Sequence, residues 1–240
     1  MISFSRFLRL AFAVGALALS AFAGEMPFPQ VENGMVRLEA KNSPYILEQG
    51  MVLSASDTFE VEPGVTVFMG EYAKLMLRGP VRIAGTSENP VRFCSVDTNE
   101  TWNGIHFVSS GKPFEVKHLV IENAFRNTVF RSRGIFESVQ FVNNFYGLWL
   151  DEVSELFLVR CKFLRNRYAL SVRAGKVLAS ETEITNNVYG LYQEAGGVFE
   201  GDSSLVQGNL EADFRQESEE LAGKGKRVNR NMWHRIETLF

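Results

Sequence analysis

The side chains able to do chemistry fall into two columns once the chain is aligned on a spacing of 21–22 residues. One column reads Val108, Arg131, Asp151, Arg173 and Glu194. Carboxylates gathered this way could hold a hard cation or share general acid and base duties. The interleaved arginines argue against both roles. They leave no room for clustered oxygen ligands, and they hold Asp151 away from the raised pKa that a general acid needs. Opposite charges one strand apart form instead a cross-strand ladder worth about 0.2–1 kcal/mol per pair. The second column is His106, Val129, Trp149, Ser171 and Tyr192. Trp149 and Tyr192, two coils apart, should stand about 10 Å from one another, near the length of a disaccharide. Flat rings at that spacing suit stacking on sugar, so Trp149, Tyr192 and His106 form the candidate binding set. His106, beside Trp102 and Asn103, is a lone imidazole with no ligand partner in the pattern. There is no Ser-His-Asp set, metal-ligand spacing or phosphate loop. No catalytic residue, metal or cofactor is therefore assigned.

Stacked repeats must position these columns. Asn123, Asn144, Asn166 and Asn187 recur at intervals of 21, 22 and 21. Three residues before each stands an apolar side chain, Val120, Phe141, Phe163 or Ile184, and Leu205 continues that column. Two residues after each stands Phe125, Tyr146, Tyr168 or Tyr189, with Leu210 next. Leu148, Leu170 and Leu191 follow the small residues Gly147, Ala169 and Gly190. Within a unit the apolar residues alternate, as in Val139-x-Phe141, which is the period of a strand with one buried face. Units of this length holding two or three short strands close one turn of a solenoid in which like stacks on like. The predicted fold is all-β: a single-stranded right-handed parallel β-helix of seven or eight coils over residues 43–212. The Asn column is read as structural, its amides satisfying backbone groups at a corner that accepts left-handed geometry.

The earlier coils are less regular, with turn signals at Pro63-Gly64, Arg78-Gly79-Pro80 and Asn89-Pro90. The run EPGVTVF…LMLRGPVRIAGTSENPVRF…WNGIHF resembles the opening coils of bacterial extracellular right-handed β-helix proteins of the pectate-lyase-like superfamily. The later F-x-x-N-x-x-G-L-x-L is similar to their generic repeat. The resemblance implies the fold; many unrelated activities share it. Its lyases gather acidic residues around calcium and its hydrolases carry motifs such as Asp-Asp and Gly-His-Gly, and this sequence has neither motif.

Arg6 and Arg9, the apolar run from Leu10 to Ala23, and Ala21-Phe22-Ala23 read as a signal peptide cleaved after Ala23. Fourteen apolar residues are too few to span a bilayer, which takes about 20. Residues 24–42 are a lead-in. Residues 213–240 are a polar linker and a tail whose Val228, Met232, Ile236 and Phe240 share one helical face, suited to capping the solenoid or docking to a partner. Cys94 and Cys161 lie about three coils apart, too far for a disulfide. A net charge of −3 argues against nucleic acid as a partner. The expected protein is secreted or periplasmic and non-catalytic: a cell-envelope structural module, or one that binds polysaccharide or a cell-surface protein. The alternative is a polysaccharide lyase or glycoside hydrolase.

Overall fold

The computed structural model describes residues 24–216; the expected leader at 1–23 and the tail from 217 to 240 lie outside the described residues. Short strands succeed one another round three faces, each pairing in parallel with its equivalent one turn away. The first face carries Met26–Pro27, Tyr45–Leu47, Thr66–Met69, Val91–Ser95, Leu119–Glu122, Gln140–Val142, Lys162–Leu164 and Glu183–Thr185. The second carries Met51–Leu53, Lys74–Leu77, Gly104–Val108, Arg126–Phe130 and Tyr146–Asp151. The opening halves of Tyr168–Ser180 and Tyr189–Glu200 extend it, and Ala212–Gln216 ends it. The third carries Met35–Leu38, Thr58–Val61, Val81–Ala84, Phe114–Lys117, Arg133–Glu137 and Glu155–Val159, then the closing halves of the two long strands. Gly175, at φ +106, lets the first long strand pass the corner unbroken; a Cβ there would lie 2.4 Å from the Ser154 carbonyl.

The result is a parallel β-solenoid of about nine turns, more than the seven or eight expected. Strands already appear ahead of residue 43, since Met35–Leu38 pairs with Thr58–Val61.

Alternation places one side of every strand inside. On the first face the inner column is Tyr45, Val67, Phe93, Ile121, Phe141, Phe163 and Ile184, continued by a bridge to Val206. Phe141 and Phe163 stack with centroids 4.7 Å apart and planes within 10°. Two expected members move. Val120 pairs with Gln140 and is only half-buried, so Ile121 takes the place; Leu205 lies in a short 3-10 turn, so Val206 does. The interval from Ile121 to Phe141 is 20 residues, and a one-residue shift turns every side chain to the other side of a strand.

The same short interval revises the Asn column. Asn144, Asn166 and Asn187 are buried and form a ladder, whose first place is taken by Ala124 and whose last by Asn209. Each Oδ1 accepts from the backbone N–H and from the Nδ2 of the preceding Asn, at 2.9–3.0 Å between Asn144, Asn166 and Asn187. Each Nδ2 also donates to a carbonyl further back: Ile121 for Asn144, Phe141 for Asn166, Phe163 for Asn187. Asn209 in turn donates to Asp213 Oδ1 from both nitrogens, which holds that carboxyl below the usual range. Asn123 stands one residue earlier, in the column of Asn143, Arg165 and Asn186, all at φ 55–60. The left-handed geometry and the ladder thus fall on neighbouring residues. The other corners use hydroxyls: Ser132 and Ser154 Oγ accept from Ser110 and Ser132 N–H, and Thr182 Oγ1 from Cys161 N–H.

Both cysteines are free. Cys161 is buried, its thiol pushed up to about 12 by desolvation.

Asn144→Ala and Asn166→Ala should each lower stability by about 1–3 kcal/mol, because each orphans an N–H and a carbonyl in the interior. Asn123→Ala, which removes only a bond from Nδ2 to Ser95 Oγ, should cost less than either. Denaturant midpoints of the three variants provide the check.

Candidate functional site

The second face places the candidate residues. An extra residue at the opening of Tyr146–Asp151 shifts the register between the pairs Arg126–Tyr146 and Thr128–Trp149. Beyond that bulge the coil interval is 21, and two expected positions move. The outward column is His106, Thr128, Trp149, Ser171, Tyr192 and Arg215, with Thr128 in place of Val129, which is wholly buried. Phe130, not Arg131, pairs with Asp151; Arg131 sits at the corner with φ 48 and bonds to Glu152.

Asp151, Arg173 and Glu194 make the charged ladder, with Arg173 3.5 Å from Asp151 and 3.2 Å from Glu194. Among the described residues, no three His, Cys, Asp or Glu side chains converge as metal ligands.

The candidate binding set is brought to one column but not as exposed rings. Trp149 is only 9% exposed, with Tyr146 edge-on at 5.0 Å and the Arg126 guanidinium 5.7 Å over its ring. Ser171, between Trp149 and Tyr192, is 2% exposed. Its Oγ and the Oγ1 of Thr128 have no hydrogen-bond partner among the described residues. His106 is held neutral, its pKa lowered to about 3 by burial first and then by the nearby charges of Arg126 and Lys74.

A second aromatic line, not assigned from the sequence, borders this column. Tyr146, Tyr168 and Tyr189 stack at 4.9 and 5.0 Å with planes within 17°. Phe125 and Phe145 stack beside them at 5.2 Å. Arginines lie over these rings: Arg167 on Phe145, and Arg215 on Tyr189 and Tyr192. Burial and the neighbouring Tyr168 push the Tyr146 phenol up to about 12, so it stays protonated. The tyrosines were visible as a column, yet a column of rings reads as core until the bulge turns it outward. Leu210, expected in that column, is 79% exposed.

The second face thus sets Thr128, Trp149, Ser171 and Tyr192 in one outward column, with the stacked tyrosines ahead of it on the strands and Arg173, paired to Asp151 and Glu194, beyond it. What this face leaves at least partly exposed are the rings of Tyr168, Tyr189 and Tyr192 and the paired Arg173 guanidinium, while the Thr128 and Ser171 hydroxyls are buried.

The fold and this face define a parallel β-solenoid with one aromatic, arginine-bordered side. No family model, curated protein or solved structure matches the chain.

His106 yields a pH prediction. A folded-state pKa below the ordinary 6.5 means that the unfolded chain binds the extra proton. Stability is then whole above pH 6.5 and is lost as pH falls toward about 3. His106→Gln should flatten the fall of the denaturant midpoint between those limits, and the native imidazole should remain neutral at pH 5 by NMR titration.

Proposed function

We propose that this chain is a secreted or periplasmic, non-catalytic β-solenoid module that binds a neutral carbohydrate on its second face. The partly exposed rings of Tyr168, Tyr189 and Tyr192 carry the reading, set on one face beside the polar ladder of Asp151, Arg173 and Glu194. Sugar rings present apolar C–H faces to aromatic rings and hydroxyls to polar groups, and these side chains offer both. Asp151 and Glu194 lie beside the rings, which disfavours an anionic glycan and suits a neutral one. A right-handed coil, and kinship with the pectate-lyase-like superfamily, are part of the same proposal. They rest on the F-x-x-N-x-x-G-L-x-L repeat and the opening-coil pattern. Export rests on the leader sequence alone.

A polysaccharide lyase or hydrolase is the weaker reading, because each carboxylate of the column is paired with Arg173. The purified protein should leave pectate and other acidic polysaccharides intact, with or without calcium. Release of unsaturated oligosaccharides, abolished by Asp151→Ala, would reverse the assignment in favour of an enzyme. On a glycan array, a neutral glycan should be retained, and Tyr168→Ala with Tyr192→Ala should remove it; a cooperative melting transition, lowered by loss of the Tyr168 stack but still above the assay temperature, shows that the variant remains folded. Retention unaffected by the double substitution would exclude this face as the site.

A further inference from the structure

The corner between the first and second faces takes three residues in each later coil: 123–125, 143–145, 165–167 and 186–188. Between Val91–Ser95 and Gly104–Val108 the same corner takes residues 96–103. The stack does not need the excess. Trp102, wholly buried, already fills the corner: it bridges to Ala124, and its Nε1 donates to the Glu122 carbonyl at 2.8 Å. The loop is tied to the preceding coil at both ends. Val96 N–H donates to the Met69 carbonyl at 3.1 Å, and Tyr72 N–H donates to that of Thr101 at 3.3 Å. Between these ties Val96 to Thr101 are all exposed, the longest such run among the described residues. An excursion held outside the stack on a fixed stem is where function, rather than packing, accounts for the residues.

Its tip reads Asp97-Thr98-Asn99-Glu100-Thr101. Asn99-Glu100-Thr101 has the asparagine-x-threonine pattern of an acceptor for N-linked glycan, with no proline in the middle place. No other asparagine of the sequence has Ser or Thr two residues on. Such an acceptor has to stand on a surface turn, and this one does. Asp97 closes the turn. Its carbonyl accepts from Glu100 N–H at 3.0 Å, and its Oδ1 accepts from Asn99 N–H at 2.8 Å and from Asn99 Nδ2 at 3.0 Å. An amide nitrogen carries two hydrogens, so the second is not committed to Asp97. The ladder residues Asn144, Asn166 and Asn187 differ in kind, being buried with both ends of the amide met.

We propose that Asn99 is the acceptor of an N-linked glycan, added by an oligosaccharyltransferase from a lipid-pyrophosphate-linked oligosaccharide. Nδ2 forms a bond to the anomeric carbon of the donor. The bond from that carbon to the pyrophosphate oxygen breaks, its electron pair leaving with the lipid pyrophosphate, and Nδ2 gives up one proton. Nothing is oxidised or reduced. The modification rests on the export part of the proposed function and not on its carbohydrate-binding part, since this glycan is carried covalently on the loop.

The intact mass of the full chain, expressed with its leader, tests it in cells carrying an oligosaccharyltransferase with its lipid-linked donor and in matched cells without the transferase. The exported protein should gain the mass of one glycan only where the transferase is present, and peptide fragmentation should map the addition to Asn99. Asn99→Gln and Thr101→Ala should each abolish it. Glu100→Ala, which changes only the variable middle place, should leave it. An exported chain at its bare polypeptide mass, an addition that survives Thr101→Ala, or one mapped to another residue would overturn the proposal. An N-terminus at Gly24 shows separately that export took place. If the leader is retained, the export reading fails by itself, and the purified full chain is incubated with solubilised transferase and the lipid-linked glycan. Addition at Asn99 then still upholds the acceptor, and its absence rejects it.

Discussion

In the coils from Ala124 to Asn187, the backbone N–H of a corner residue is satisfied by the side-chain carbonyl of an asparagine in the next. That bond does what hydrogen bonds within a strand cannot. It fixes which residue of one coil sits over which residue of the next, at a corner where the ladder of the sheet is interrupted. With register fixed there, the pairings on either side follow, and so do the phenylalanine stack inside and the tyrosine stack outside. The polar interior of the corner is tolerated because each buried amide is met on both ends.

The outward side of the second face is a by-product of the same register. Once Tyr146, Tyr168 and Tyr189 are locked over one another, the residues further along the strands have no choice of neighbour. Ser171 must lie between Trp149 and Tyr192, and Arg173 between Asp151 and Glu194. The arginine that completes the ladder also engages both carboxylates as its ion-pair partners, 3.5 Å from Asp151 and 3.2 Å from Glu194.

Most of the architecture was legible in the sequence because several unlike columns at one spacing are what a stack of coils produces, and little else does. What failed was register at two junctions, one at the last coil, where Val206 and not Leu205 follows Ile184, and one earlier. The interval is 20 residues from Ile121 to Phe141 and 21 from Thr128 to Trp149, a difference absorbed by the bulge. An alignment on Asn123 reverses these two values, and so misplaces Val120, Asn123, Val129 and Arg131 together. The adjacent pairs Asn143-Asn144 and Asn186-Asn187 show why: one asparagine turns the chain and the next makes the ladder, and either fits a one-residue pattern. The candidate binding residues were legible as a column but not as a buried one. Alternation tells in from out, and says nothing of what lies across the outside.

The ladder also has a direction. Each asparagine receives donors from the coil before it and hands its own to the one after, so the arrangement can be passed along without limit by any residue that both accepts and donates. Asp213 accepts from Asn209 and, ionised, has nothing to hand on. A carboxylate at that place works as a chain terminator does in a growing polymer: it satisfies the last unit while withholding the group the next would need. Among the described residues the amide ladder is thus closed locally, by a carboxylate four residues further along the same coil.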